Sequence, residues 1–152
     1  MDELLAGQEL VVGLEPPAHA DEPGVRSRRL DQIVCDAFIA SRPGHPFWEH
    51  VFEHLVRSQH APSVLDAVSV FLLTRAYQTY PHPEQISLLA ADVLYPASRW
   101  DTWDNDFSAD ALRRQVTDRP FAIHYWSSSW RREAVFKAVR EQLAAQRRRG
   151  QS

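Results

Sequence analysis

Apolar positions along this chain change their period several times, and each change marks a predicted element. Residues 9–16, ELVVGLEP, form a short apolar run closed by glycine and two prolines, the pattern of a buried strand. Met1–Leu5 ahead of it reads as part of a helix or turn, and residues 17–29, PAHADEPGVRSRR, as a polar loop. A helix is predicted over about 30–41, where Ile33, Ala37, Phe38 and Ile39 occupy one broad face and Cys35 fills core space. Pro43 and Gly44 then make a turn, and Pro46 suits the first position of a second helix over 46–58. Phe47, Val51 and Leu55 lie near helical spacing there, with Trp48, Phe52 and Val56 beside them. A third helix, dense in apolar residues and therefore largely buried, is predicted over 63–79. ISLLAADVLYP, residues 86–96, reads as one or two strands ending at Tyr95-Pro96.

Residues 97–120 begin with the acidic, aromatic run ASRWDTWDNDFSAD and read as a loop region. FAIHYWSSSW, residues 121–130, supplies a last strand, and 130–147 an amphipathic helix lined by Val135, Phe136, Val139 and Leu143. Glu133 and Lys137 make a favourable pair one turn apart on it. Arg147–Arg149 open a basic tail over 147–152. No repeat or low-complexity segment interrupts the order, and the alternation of strands and helices predicts an α/β fold.

Composition narrows the class. The 152 residues suit a single domain, and 44% hydrophobic with 24% charged residues is globular in character. A net charge of −3 and an isoelectric point near 6.1 argue against a general nucleic-acid binder. No apolar run approaches the ~20 residues of a membrane span, and the N-terminus lacks a basic-then-apolar leader. Cys35, the single cysteine, makes no internal disulfide and does not suggest an oxidising compartment. The expected location is cytoplasmic, or peripheral on the cytosolic side of a membrane.

Three local patterns could carry chemistry. His50, Glu53 and His54 spell the H-x-x-E-H of inverted zinc proteases, whose helix-borne histidines share one metal. No downstream acidic helix stands out as a further ligand, and a polar face opposite Phe47, Val51 and Leu55 explains these residues without zinc. Asp104-Asn105-Asp106 places carboxylates two apart in a loop, which suits Mg²⁺ or Mn²⁺, although acidic surface loops are common. In the last pattern, a strand delivers His124 to the rim of an α/β sheet, where ligands usually sit. Neutral imidazole suits a divalent cation, and Trp126 and Trp130 could stack on a nucleobase or sugar. Serine hydroxyls and helix N–H groups there could meet phosphate oxygens. Packing of both tryptophans beneath the last helix accounts for them equally well.

Four ordered segments resemble the C-terminal half of glycosyltransferase family 32, the DXD sugar-binding region proteins. DAFIASRPGHPFW matches the family's helix followed by Ser-x-Pro-x-His-Pro at Ser41, Pro43, His45 and Pro46. AVSVFLLTRAY keeps Leu73 and Thr74 of a Leu-Thr helix, and Tyr95-Pro96 matches a strand end. His124, Trp126, Ser129 and Trp130 match His-x-Trp-x-x-Ser-Trp. The resemblance implies a partial GT-A, Rossmann-like domain with a mixed sheet flanked by helices. It implies hexose transfer from a nucleotide-sugar with retention, using Mn²⁺ or Mg²⁺, to a glycan, lipid or cell-envelope acceptor. By the same carry-over His124 is the candidate metal ligand. Ser129 and Trp130 lie near the diphosphate, Trp126 shapes or backs the pocket, and Asp36 is a candidate catalytic position.

The departures from the family generate expectations of their own. Its Asp-x-Asp and nucleotide-binding strands are expected upstream of Met1, so the chain reads as the C-terminal part of a domain, with a separate N-terminal half as one partner. Asp104-Asn105-Asp106 falls too far downstream to be that motif. Asp36 stands where the family has Asn, and Ser128 where it has Gly. Val68-Ser69-Val70 replaces Thr-Gly-Pro, read as the loss of a turn signal and a hydroxyl. A catalytically degenerate remnant serving as a binding or assembly partner is therefore the alternative to a transferase.

Overall fold

The computed structural model describes residues 6–100 together with Ala122, His124 and Trp126. The LVVGL run forms strand β1, Leu10–Leu14, whose first four residues are all buried. Such a strand needs cover on both faces, and it holds the centre of a three-stranded sheet of order β2-β1-β3. Strand β2, Val34–Ser41, runs antiparallel to β1, and β3, Ser87–Leu89, runs parallel to it. The described residues thus make a small α/β domain with a mixed sheet.

The 17–29 segment contains a 3₁₀ turn over Pro17–Asp21 and a short helix α1, Pro23–Arg26, which bury His19 and Val25. The helix predicted over 30–41 is instead strand β2. Ile33, Phe38 and Ile39 have a helix-compatible spacing, but Val34, Phe38 and Ile39 also suit a pleated surface, and pairing with β1 decides. The register slips between Val12 and Gly13, so that Val12 faces Ile39 and Gly13 faces Cys35. A bulge of this kind bends the strand and re-aims its side chains.

Helix α2, Phe47–Ser58, follows Pro46 close to the predicted start. The single helix predicted over 63–79 is two: α3, Val64–Val68, and α4, Val70–Thr79. Ser69 between them has extended backbone angles of −131° and −146°. Residues 86–96 give only the short β3 before the helical turn α5, Ala91–Leu94. The predicted last strand is described only at Ala122, His124 and Trp126. The predicted terminal helix, the 147–152 tail and Asp104-Asn105-Asp106 lie outside the described residues.

Alternation along β1 divides the core. Leu10 and Val12 pack with Val34, Phe47, Val51, Leu72, Leu73, Ala76, Tyr80 and Ile86 beneath α2 and α4. On the other side Cys35 joins Leu94, Tyr95 and Trp126. A smaller cluster of Val25, Leu30, Ile33, Val70 and Phe71 closes the end near α1. Beside it Asp66 accepts from Arg28 Nε at 2.9 Å and from Arg75 at 2.7 Å, while the Arg28 guanidinium lies over the Phe71 ring. Among the described residues no helix is long and apolar enough to cross a membrane.

Candidate functional site

Because β1 and β3 are parallel, their carboxyl ends point the same way, and the antiparallel β2 begins at that same edge. Ligands of open α/β sheets gather at such edges. The edge carries Gly13, Glu15, Cys35, Asp36 and Tyr95, with His124 and Trp126 arriving from the chain's far end. Gly13 is required by the close approach. A β-carbon there would lie 2.7 Å from both Leu94 Cδ1 and Tyr95 Cε2. Tyr95 therefore settles directly on the β1 backbone.

Glu15 and His19, four residues apart, are both buried, and His19 Nδ1 lies 2.8 Å from Glu15 Oε2. The Arg99 backbone N–H donates to His19 Nε2 at 3.0 Å. Nε2 therefore carries the lone pair and Nδ1 the proton, which it donates to the carboxylate. The Arg99 guanidinium also reaches Glu15 at 3.1 Å and Glu22 at 2.8 Å. The Glu15–His19 pair thus resembles a base dyad in composition only, since its outward nitrogen is committed to backbone. Its role is to tie the segment after Tyr95 to the end of β1.

Trp126 is buried and donates its indole N–H to the Ala97 carbonyl at 2.8 Å. Its ring meets His19 edge-on at 4.6 Å, His124 at 4.1 Å and Tyr95 at 5.9 Å. A φ of +49° puts it in the left-handed region, uncommon for so bulky a residue. His124 lies 5.9 Å from Tyr95, and its buried Nδ1 has no hydrogen-bond partner. Burial is the main cause that lowers its pKa, outweighing the Glu15 and Asp36 carboxylates, which act the other way. Its neutral form, the one that coordinates metals, is the favoured one. Burial also pushes the Cys35 thiol up to about 12 and the Tyr95 phenol well above its usual value. Cys35 fills core space, as the sequence suggests, and is chemically inert.

Asp36 sits on the exposed side of β2, where the Ser69 hydroxyl donates to it at 2.6 Å. Val68 lacks the hydroxyl of the family's Thr, and a different one, on Ser69 at the Gly position, stands at the break between α3 and α4. Thr74 behaves differently. Fully buried, it donates to the Val70 carbonyl at 2.6 Å and accepts the Val34 N–H at 2.9 Å, so it is structural. Ser129 and Trp130 lie outside the described residues. Sequence reasoning missed Glu15, His19 and Arg99, although a histidine four residues after a glutamate within a proline-bounded segment was a usable signal.

Among the described residues no group of three or more His, Cys, Asp or Glu side chains is placed to hold a metal ion. Scans against protein-family models, curated proteins and solved structures return no match.

Proposed function

We propose that the chain is the C-terminal part of a GT-A-type, retaining hexosyltransferase domain that uses a nucleotide-sugar donor. One observation supports this reading: Asp36 and Ser69, which occupy family positions with altered side chains, share one end of the sheet with the family-like Tyr95, His124 and Trp126. Ser69 from the α3–α4 break bonds Asp36 of β2, and Tyr95, His124 and Trp126 meet around Cys35 at the same end of the sheet. The edge they share is the one where α/β sheets bind ligands.

A nucleoside diphosphate leaving group develops negative charge, which a bound Mn²⁺ or Mg²⁺ would neutralise. The described residues fit such an ion at one position, His124, whose Nδ1 is without a partner. The nearby carboxylates are engaged, Glu15 by His19 and Arg99 and Asp36 by Ser69. On this reading the carboxylate pair comes from an Asp-x-Asp segment preceding β1 in the family order. The chain's own residues have simpler tasks. Trp126 and Tyr95 exclude water behind His124, Asp36 offers an acceptor for a sugar or acceptor hydroxyl, and the family resemblance assigns Ser129 and Trp130 to the diphosphate. The acceptor is a glycan, a lipid or a cell-envelope polymer, reached from the cytoplasm or a membrane surface.

A degenerate remnant that only binds a partner is the second reading. The anion at Asp36, where the family has a neutral amide, favours it. Calorimetric titration of the chain with UDP and GDP in the presence of Mn²⁺ separates the two. A transferase ancestor that keeps its donor edge binds one of them saturably, and His124→Ala weakens that binding at least about tenfold. A folded chain that binds neither nucleotide favours the remnant.

A further inference from the structure

Residues four apart on a helix share a face, and His50 and His54 of α2 point toward the last residue of α4, Thr79. Their two Nε2 atoms each lie 2.9 Å from the same oxygen, Thr79 Oγ1. That hydroxyl donates to the Arg75 carbonyl at 2.9 Å, so its proton is committed and both imidazoles donate to its lone pairs. The ring centroids are 4.8 Å apart. Two nitrogens that reach one oxygen cannot be farther apart than twice their distance to it. A tetrahedral zinc with bonds of about 2.0–2.1 Å holds two nitrogens roughly 3.4 Å apart, within that limit.

We propose that His50 and His54 form a two-imidazole site for a borderline divalent ion of the Zn²⁺, Ni²⁺ or Cu²⁺ class, independent of the donor site. The ion takes the place of the Thr79 hydroxyl as the common partner of both Nε2 atoms. Each ring moves its proton from Nε2 to Nδ1, so neutral rings release no net proton. Both rings are partly exposed, which leaves a route for entry, and water completes the coordination. Hard ions such as Mg²⁺ and Ca²⁺ prefer oxygen and are not bound. The glutamate of H-x-x-E-H takes no part. Glu53 pairs with Arg57 at 3.1 Å along the helix, so the site binds metal without the base that peptide hydrolysis would need.

The test is calorimetry of the untagged, chelator-treated chain with Zn²⁺ and Ni²⁺, alongside thermal melts. One saturable Zn²⁺ or Ni²⁺ site is expected in the nucleotide-free chain, with a metal-induced rise in melting temperature, and Mg²⁺ does not compete for it. His50→Ala or His54→Ala should weaken binding at least about tenfold, while His60→Ala, His82→Ala and Glu53→Gln bind as the wild type does. No saturable site, or a site retained in the His50→Ala/His54→Ala double variant, overturns the proposal. Should the double variant not fold, Cu²⁺ titration of the wild type followed by histidine ring resonances decides the matter. Broadening of His50 and His54 ahead of His60 and His82 supports the site, and simultaneous or reversed broadening overturns it.

Discussion

Tyr95 rests against β1 at Gly13, where a β-carbon would lie 2.7 Å from Tyr95 Cε2 and 3.1 Å from its hydroxyl oxygen. The residue after the Val12 register slip must therefore have no side chain. Gly13→Ala forces Leu94 and Tyr95 outward, an overpacking expected to cost about 1–3 kcal/mol. Urea denaturation followed by circular dichroism reads this directly. A wild-type midpoint would show that the Tyr95 contact is slack.

Thr74 ties helix α4 to the first residue of β2 through the Val34 N–H. Thr74→Val keeps the shape but leaves a buried donor without a partner, at a cost of about 1–3 kcal/mol. Thr74→Ser, which keeps the hydroxyl, should lose less. A Ser variant no more stable than the Val variant would assign the effect to packing.

Legibility followed how far each signal depended on tertiary contact. Helix α2 was readable because Phe47 and Val51 keep a 3.6 period after Pro46, and both are buried. Leu55, counted on the same face, is 37% exposed. Strand β2 was not readable, since Ala37, Phe38 and Ile39 are consecutive and show no strand alternation, and only pairing with β1 sets the element. The break at Ser69 carries no glycine or proline to announce it. At the candidate edge His124 and Trp126 stand in a recognisable motif, whereas Gly13 reads in sequence only as the close of an apolar run. A lone glycine inside an apolar strand is a known sign of close backbone approach. Glu15 and His19 were hidden by the polar look of their segment, although both are buried.

Asp66 gives the pH dependence a sign. Hydrogen bonds from Arg28 are the largest cause holding its pKa below the ordinary carboxyl value of 3.8, with Arg75 adding to them. The unfolded carboxylate takes up a proton first as pH falls. The stabilisation is thus complete above the unfolded pKa and is lost as pH drops through 3.8 toward the folded value. Urea midpoints between neutral pH and pH 3 should fall steeply for the wild type. Asp66→Asn should start lower and fall less, and parallel curves would remove Asp66 from the acid response.

Trp126 combines a buried hydrogen bond, an aromatic cluster and a left-handed backbone, and two substitutions separate these contributions. Trp126→Phe keeps a ring among His19, Tyr95 and His124 but cannot donate to the Ala97 carbonyl. Leaving that carbonyl without its donor costs about 1–3 kcal/mol. Trp126→Gly relaxes a φ of +49°, yet it empties the cluster. Deleting a large buried aromatic costs about 3–5 kcal/mol, more than the relief of a strained φ, at about 1–3 kcal/mol, returns. The expected order of stability is wild type, then Phe, then Gly, read by circular dichroism because the fluorophore itself is changed. A Gly variant at least as stable as the Phe variant would mean that the ring contributes little. The Tyr95–His124–Trp126 arrangement would then not be what holds this edge of the sheet together.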